Sequence, residues 1–254
     1  MTGAGRPRGV RPGSATSFEQ LVDDYDAARP TYPPALFDAL PSLAAARVLE
    51  LGAGTGLATA GLLERGAHVV ATDLGPRMLG RLHATRPQVP VAVARAEALP
   101  FADSSFDLVC GAQMWHWVDV PRAAAEVRRV LRPGGSLAVW WNDVDADGEP
   151  WWEAQQDRLE AAHPTYARGY RENDYPAAMA AAGGFGPAQV WRGRWERELD
   201  LDTYERWLRS KSYVSELPDP GAFLAAERAS LASAFPDGRV REPFRVRLLT
   251  FRRA

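Results

Sequence analysis

Short apolar runs alternate with helical periodicity between residues 47 and 141. The short runs predict buried strands, and apolar positions three and four residues apart predict helices between them. Strands joined by helices at this spacing form a parallel sheet that is covered on both faces. The predicted fold class is α/β, with a doubly wound, mostly parallel sheet. Its predicted strands are 47–51, 68–72, 91–94, 107–112 and 136–141, and its predicted helices are 57–64, one opening at Pro76, and 121–131.

The chain on either side of this alternation is predicted to be mainly helical. A helix is expected from Phe18, a second over 35–40, and an aromatic-rich helical segment from about 150 to 182. Two more strands and two more helices complete the prediction, the strands at 190–199 and 244–252 and the helices at 204–214 and 223–234.

Domain organisation follows from composition. Residues 1–16, rich in Gly, Pro, Ser and Arg, are predicted to be a disordered tail because they cannot bury enough apolar surface. Residues 17–254 are predicted to form a single domain, with helical additions at about 146–184 and 200–238.

Composition excludes several classes of protein. The formal net charge of −2 lacks the basic excess of a non-specific nucleic-acid binder. The single cysteine, Cys110, excludes a disulfide scaffold within the chain. No apolar run reaches the length of a membrane span, and the first 16 residues lack the apolar stretch of a secretory signal. A cytoplasmic protein without nucleic-acid or membrane partners is therefore expected.

The most informative segment is a glycine loop between a predicted strand and a predicted helix. Gly52, Gly54 and Gly56 follow a G-x-G-x-G spacing, where a backbone must turn sharply and admit a ligand. The dinucleotide fingerprint needs its third glycine at position 57, which is Leu57. Glu50, two residues before the loop, suits a ligand with an ammonium group better than one with a pyrophosphate.

An acid ends the second predicted strand. Asp73, 17 residues beyond Gly56, is positioned to accept hydrogen bonds from the hydroxyls of a ribose. Met78 and Leu79 follow closely and could press on an adenine face. Ribose, ammonium and adenine without phosphate describe S-adenosyl-L-methionine (SAM). A tight turn without a ligand, a non-catalytic SAM- or nucleotide-binding module and an NAD-dependent reductase are the alternatives.

Five motifs occur in order over about residues 18 to 141. They are Glu50-x-Gly52-x-Gly54-x-Gly56, Asp73, Glu97-Ala98-Leu99-Pro100-Phe101, Ser105-Phe106-Asp107 and Leu131-Arg132-Pro133-Gly134-Gly135. These motifs resemble those of class I SAM-dependent methyltransferases, of the type 11-like group. The segment 210–213, Ser-Lys-Ser-Tyr, is loosely similar to the trans-aconitate methyltransferase-like subgroup. The resemblance implies a Rossmann-like seven-stranded sheet with a reversed last hairpin and SAM across the carboxyl ends of strands one, two and four.

The resemblance also implies a set of cofactor-binding residues and no metal. One departure is Arg95, which stands where many relatives have an acid for the adenine amino group, so Glu97 or a backbone carbonyl is expected there. The predicted cofactor-binding residues are Glu50, Gly52, Ala53, Gly54, Gly56, Asp73, Leu74, Met78, Ala96, Glu97, Gln113, Tyr25 and Arg29.

A Trp-His-Trp cluster, Trp115 to Trp117, follows the fourth predicted strand. Aromatic faces favour a sulfonium cation, and His116 could orient an acceptor or take its proton, which makes it the catalytic candidate. The alternative is that both tryptophans belong to the core and His116 caps the next helix. All nine tryptophans lie at or after position 115, which fits either an aromatic acceptor site or a core of large residues. The predicted substrate residues are Tyr32, Trp115, Trp117 and Trp141.

The front segment and the expected reaction complete the prediction. Tyr25 and Arg29 could lie near the carboxylate of SAM, or simply be a packed tyrosine and a surface arginine. The histidines show no metal-ligand spacing. The expected activity is transfer of a methyl group to an oxygen (carboxylate or hydroxyl) or other nucleophile of a small molecule, such as one of secondary metabolism, leaving S-adenosyl-L-homocysteine. A monomer or homodimer is expected.

Overall fold

The computed structural model describes residues 29–163, 166 and 174–254. The predicted tail over 1–16, the helix from Phe18 and the candidate Tyr25 lie outside the described residues. The strands are β1 (Arg47–Leu51), β2 (His68–Asp73), β3 (Val91–Val93), β4 (Phe106–Ala112), β5 (Leu131–Val144), β6 (Gln189–Asp200) and β7 (Arg239–Arg252). The helices are α1 (Pro34–Asp38), α2 (Leu57–Glu64), α3 (Pro76–Thr85), α4 (Val120–Val130), α5 (Pro150–Ala162), α6 (Tyr175–Ala182), α7 (Leu201–Arg209), α8 (Ser212–Ser215) and α9 (Pro220–Ala234).

The strands form a seven-stranded sheet in the order β3-β2-β1-β4-β5-β7-β6. β1 pairs in parallel with β2 and β4, and β4 pairs in parallel with β5. β7 runs antiparallel to β5, with Leu248 opposite Trp140. The predicted fold class, a Rossmann-like and mostly parallel sheet with a reversed last hairpin, is confirmed.

The sheet is buried on both faces, which explains why its central strands are continuous apolar runs. Successive residues of one strand point to opposite faces, so Val48 joins one hydrophobic cluster and Leu49 the other. The first cluster includes Trp140 and residues of α1 and α2, and the second includes Trp141 and residues of α4 and α6. Cys110 is buried in the first cluster.

The chain divides into two compact units. The sheet unit contains residues 30–144, 174–195 and 244–254, and the helical unit contains, of the described residues, 29, 145–163, 166 and 196–243. The prediction of a single domain over 17–254 stays a prediction.

Several element boundaries differ from the predicted ones. Strand β7 begins at Arg239 instead of 244, and α9 begins at Pro220 instead of 223. The helical segment predicted over about 150–182 is described as two helices, α5 and α6, and the helix predicted over 204–214 ends at Arg209 before the short α8. Strand β5 begins at Leu131 instead of 136, because Leu131 still pairs with Phe106 before the glycine turn shifts the register. Among the described helices, none has the length and apolar character needed to cross a bilayer.

Candidate functional site

The glycine loop leaves β1 in a backbone conformation that favours glycine. Gly52 and Gly54 have φ angles of 61° and 57°, in the left-handed region that side chains disfavour. A Cβ on Gly52 would lie 2.8 Å from Met114 Cβ, so this glycine is required for packing. A Cβ on Gly54 would meet no atom of the described residues within 4 Å, apart from its chain neighbours. Among the described residues, the loop is thus packed at Gly52 and open at Gly54.

Asp73 is joined to the open part of this loop. Its Oδ2 accepts the N–H of Gly54 at 2.9 Å, and its Oδ1 accepts the N–H of Gly75 at 2.8 Å. The structure therefore brings together the glycine loop after β1 and the acid at the end of β2. The next side chain, Leu74, is 42% exposed, and it is one of three exposed large apolar residues among those that the structure describes.

Glu50 lies in the interior of the same region. Its side chain is buried, and Thr59 Oγ1 on α2 donates to Glu50 Oε2 at 2.6 Å. Burial raises the pKa of Glu50 to about 7, opposed by the Thr59 hydrogen bond and the positive charge of Arg86. Glu50 is thus close to half-protonated at neutral pH. Sequence reasoning missed Thr59, whose only signal is its place in the first turn after the glycine loop.

Gln113 follows the last residue of β4 and has a strained backbone conformation. Its φ is 56°, uncommon for a residue with a side chain. Its Nε2 donates to the carbonyl of Asn142 at 2.7 Å, while Oε1 is buried with no hydrogen-bond partner among the described residues. Such strain and such an orphan acceptor are concentrated at functional sites.

Asn142, which sequence reasoning missed, connects three segments beside Gln113. Its Nδ2 donates to the carbonyl of Thr31 at 3.2 Å, and its Oδ1 accepts from Trp195 Nε1 at 2.9 Å. Its one sequence signal is an amide following two tryptophans at the carboxyl end of an apolar strand. The carboxyl ends of β1, β2, β4 and β5 thus each carry polar groups, along the same edge of the sheet.

The Trp-His-Trp segment forms a 3-10 helix directly after β4. His116 is half-buried, and its Nδ1 lies 3.4 Å from the indole Nε1 of Trp141. The rings of His116 and the half-buried Trp117 lie 5.0 Å apart. Trp115 is fully buried in the second cluster, which agrees with the alternative that this tryptophan belongs to the core.

The other predicted substrate residues are packed against neighbouring rings. Trp141 is fully buried in the second cluster. Tyr32 is partly buried and makes edge contacts with Phe37 and Trp140, with ring centres 6.4 Å and 5.9 Å apart. Substrate contact by Tyr32, Trp115, Trp117 or Trp141 stays a prediction.

The third-motif segment is fixed to the start of α4. Glu97 Oε1 accepts the N–H of Asp119 at 2.9 Å, and Glu97 Oε2 lies 3.8 Å from Nε of the exposed Arg95. Ala96, which precedes Glu97, is buried. The structure therefore gives Glu97 protein partners, and its role toward adenine stays a prediction.

The remaining cofactor candidates are distributed between the units. Met78 is buried on α3, and Ala53 is buried with its N–H donating to the carbonyl of Thr72. Gly56 precedes α2 with a φ of 91°. Arg29 belongs to the helical unit, where its Nη2 donates to the carbonyl of Ser210 at 2.7 Å. Within the described ranges, His, Cys, Asp and Glu side chains form no group of three suited to a metal ion.

Comparison with known proteins identifies relatives of this chain. A family profile described as a methyltransferase domain matches residues 49–139. An uncharacterized methyltransferase-like protein of Schizosaccharomyces pombe is 32% identical over 215 residues, which cover 80% of each chain. A solved structure from Anaeromyxobacter dehalogenans, described as a candidate type II methyltransferase, is 30% identical with a TM-score of 0.63. That alignment covers 88% of this chain and 96% of the other.

Two further relatives match a shorter region. An uncharacterized methyltransferase of Mycobacterium tuberculosis is 52% identical over 129 residues, which cover 51% of this chain and only 53% of the relative. A malonyl-acyl-carrier-protein O-methyltransferase of Dechloromonas aromatica is 39% identical over 152 residues, 55% of each chain. The similarity to the fission yeast protein and to the solved structure, in contrast, extends over most of the chain, and it shows that this protein belongs to the class I SAM-dependent methyltransferase family.

Proposed function

We propose that this protein transfers the methyl group of SAM to an oxygen atom of a small molecule. The observation that carries the proposal is the hydrogen bond from the N–H of Gly54 to Asp73 Oδ2. A carboxylate held by two backbone N–H groups stands beside Gly54, where a Cβ would meet no atom of the described residues within 4 Å, apart from the chain neighbours. A ribose offers hydroxyl donors to such a carboxylate, and the G-x-G-x-G loop does not follow the dinucleotide spacing.

The remaining parts of SAM find suitable chemistry along the same edge. The exposed apolar side chain of Leu74 suits one face of the adenine. The buried Oε1 of Gln113 suits an ammonium donor, and Glu50 supplies a carboxyl group whose raised pKa lets it ionise when a cation binds. The methionine portion of SAM is therefore proposed to lie between the glycine loop and the end of β4.

Transfer itself needs mainly alignment. An oxygen lone pair of the acceptor forms a bond to the methyl carbon as the carbon–sulfur bond breaks, and that electron pair stays on sulfur. The products are a methylated acceptor and neutral S-adenosyl-L-homocysteine. Holding nucleophile, carbon and sulfur in line is the principal contribution of the protein.

Oxygen is the proposed acceptor atom on two grounds. The D. aromatica relative, 39% identical over 55% of each chain, is named an O-methyltransferase. His116, directly after β4, offers an imidazole nitrogen suited to an acceptor oxygen. The acceptor is proposed to be a small molecule.

Calorimetry with SAM, S-adenosyl-L-homocysteine and NADH tests the cofactor. Asp73→Asn removes the charge that the ribose hydroxyls meet, and the affinity for SAM should fall roughly 10- to 100-fold, the value of a charged hydrogen bond. Asp107→Asn is the matched control. Asp107 also accepts a backbone N–H, from Arg47 at 2.8 Å, but at the opposite end of β1 and β4, and it should leave the affinity unchanged.

Three results would contradict the proposal. Binding of NADH in preference to SAM would favour a reductase. An Asp73→Asn affinity equal to that of the original chain would remove Asp73 from the site. SAM binding without release of S-adenosyl-L-homocysteine in the presence of small acids and alcohols would favour a binding module without turnover.

A further inference from the structure

A cavity lies at the amino-terminal edge of the sheet, opposite the edge that carries the glycine loop. Its volume is about 390 Å³, within the range of small-molecule sites in proteins. Ligands of open parallel sheets ordinarily bind outside the carboxyl ends of the strands, so this cavity is separate from the proposed methyl-transfer site. Along β1, the five residues from Arg47 to Leu51 place the two edges roughly 13 Å apart, at about 3.3 Å per residue. The lining of this amino-edge cavity includes Arg47, Leu63, His68, Val70, Val89 and Phe106.

Much of the cavity wall is apolar. Leu63 comes from α2, Val70 from β2 and Phe106 from the start of β4, while Val89 lies just before β3. Phe106 is buried, and its ring packs edge-on against Phe101 with the ring centres 5.2 Å apart. An apolar surface fixed in this way favours a ligand with a compact hydrocarbon or aromatic body.

Two hydrogen-bond donors stand side by side in the same wall. Arg47 and His68 begin β1 and β2, and they are in register across the parallel pair. The residues that follow them, Val48 and Val69, both belong to the first cluster, so Arg47 and His68 project to the opposite face of the sheet, the face of Phe106. Neighbouring strands are only about 4.8 Å apart, so one small ligand can reach both side chains.

The charge of Arg47 is available to a ligand. Its guanidinium carbon lies 6.0 Å from the ring centre of Phe106, which holds the charge over a wall of the cavity. Within the described ranges, the side chain of Arg47 forms no ion pair. Asp107 accepts the backbone N–H of Arg47 at 2.8 Å, but its other oxygen accepts from Arg132 Nη1 at 2.6 Å. The negative charge beside Arg47 is therefore already paired with a different arginine.

We propose that the amino-edge cavity binds a small organic acid as its carboxylate, through Arg47 and His68, with the apolar body of the acid against Val70 and Phe106. A guanidinium presents two parallel N–H groups that match the two oxygens of a carboxylate. An imidazole has at least one N–H in either protonation state, so His68 adds a donor. An uncharged ligand would leave Arg47 without a counter-ion, and an anion without an apolar body would leave the wall in water.

The first test locates the ligand with a reporter inside the cavity. The chain has four histidines, of which His68 lines the cavity and His116 follows β4 at the other edge of the sheet. In protein labelled with ¹⁵N at histidine, phenylacetate added at constant pH should shift the His68 signals saturably, and the signals are assigned by their loss in His68→Gln. The absence of a saturable His68 shift up to roughly 10 mM acid would overturn the proposal, whether or not His116 responds.

Two smaller probes separate the charge from the apolar body. 2-Phenylethanol keeps the ring without the carboxylate and should bind at least roughly tenfold more weakly than phenylacetate, the value of a hydrogen bond to a charged group. Acetate keeps the carboxylate without the ring and should also bind at least about tenfold more weakly, because the apolar contact is lost. An alcohol that shifts His68 with the affinity of the acid would show an apolar cavity without anion recognition. Acetate with the affinity of phenylacetate would show an adventitious ion only.

A second arginine that lies over a phenylalanine provides the matched control variant. Arg47→Gln should raise the Kd of phenylacetate, read from His68, roughly three- to tenfold, between the values of an exposed and a buried charged contact. Arg65 also lies over a ring, 5.0 Å from the centre of Phe37, but it is paired with Asp38 at 2.7 Å and is outside the cavity lining. Arg65→Gln should leave the Kd unchanged. Equal Kd values for the original chain and Arg47→Gln would contradict the assignment of Arg47.

This proposal and the proposed function are tested independently. The titration contains no SAM and measures no turnover, so a failure of methyl transfer leaves the His68 result intact. A shift of His68 that Arg47→Gln weakens and Arg65→Gln does not would establish a carboxylate site at the amino-terminal edge of the sheet.

Discussion

The two units bury carboxylates in different ways. In the helical unit, Glu242 is fully buried, and Nη2 of Arg197 lies 2.6 Å from its Oε2. Glu227 in the same unit is bonded by Arg158 and by Gln155. In the sheet unit Glu50 is buried just as deeply, but its partner is the Thr59 hydroxyl, and among the described residues it forms no ion pair. The helical unit pairs its buried carboxylates with arginines, whereas Glu50 has no such ion pair among the described residues.

This difference indicates which region of the molecule is suited to binding a ligand. A buried carboxyl without a cation costs free energy unless it is protonated or a cation arrives. The same edge of the sheet contains the left-handed Gln113, its orphan Oε1 and the exposed Leu74. Each of these features costs stability that folding alone does not recover, and each is offset if a cationic, partly apolar nucleoside binds there.

The largest expected effect concerns Glu242 in the helical unit, whose buried carboxylate is paired with Arg197. Arg197→Met removes the countercharge of Glu242 but keeps much of the apolar side chain. The protein should lose about 3–5 kcal/mol of unfolding free energy, since an uncompensated carboxylate is left buried. Burial already raises the pKa of Glu242 and Arg197 opposes this, so the variant should also regain stability as the pH falls and Glu242 is protonated. Urea unfolding at several pH values measures both effects.

An exposed ion pair serves as the control. Arg209 and Glu205, 2.8 Å apart on the surface of α7, should contribute less than about 1 kcal/mol, so Arg209→Met should change little. A loss of the same size for Arg197→Met and Arg209→Met would refute the claim that Arg197 compensates a buried charge.

The next largest effect concerns Glu50, the buried carboxyl group of the sheet unit. Its pKa is about 7 when folded and near 4.5 when unfolded, so between these values the folded state binds more protons. Stability should therefore fall as the pH rises from about 4.5 to 7, by about 3 kcal/mol in total, and remain level above. Glu50→Gln should abolish this slope, because an amide does not titrate in this range.

Calorimetry adds a second measurement on the same variant. At about pH 8, Glu50→Gln should be more stable than the original chain by up to about 3 kcal/mol, yet bind SAM more weakly, since the ammonium loses its carboxylate. SAM binding to the original chain near neutral pH should release protons, detected as a dependence of the binding enthalpy on the buffer. A variant with the original pH slope would show that Glu50 is not the titrating group.

Much of the fold could be predicted because the parallel strands are buried on both faces. β1, β2 and β4 are mainly apolar, and their predicted bounds agree with the structure within a residue. The start of β5 could not be predicted, because Pro133-Gly134-Gly135 has the composition of a turn although the chain on both sides of it pairs with β4. Whether a strand continues through a turn depends on its neighbour, which local composition does not report.

The candidate site could be predicted only where the residue type and its spacing along the chain are typical of a single function. The glycine loop and Asp73 were identified from their spacing along the chain, and the structure places Asp73 within hydrogen-bond distance of Gly54. Asn142 and the contact between Trp141 and His116 depend on residues about 25 or more positions apart, and only the folded sheet brings them together. Sequence also could not show that Trp115 is a core residue, because an apolar ring suits a core and a binding cleft equally.

The smallest expected effect concerns two exposed apolar side chains of the sheet unit. Leu74, beside Asp73, and Val190, at the start of β6, are both large apolar residues, 42% and 44% exposed. Serine at either position should change the unfolding free energy by no more than about 0.5 kcal/mol. Leu74→Ser should weaken SAM binding roughly two- to fivefold, because an adenine face loses tens of Å² of apolar contact at about 25 cal/mol per Å². Val190→Ser should leave SAM binding unchanged. If calorimetry gives the two variants the same affinity, the exposure of Leu74 is an ordinary feature of the surface and the adenine lies elsewhere.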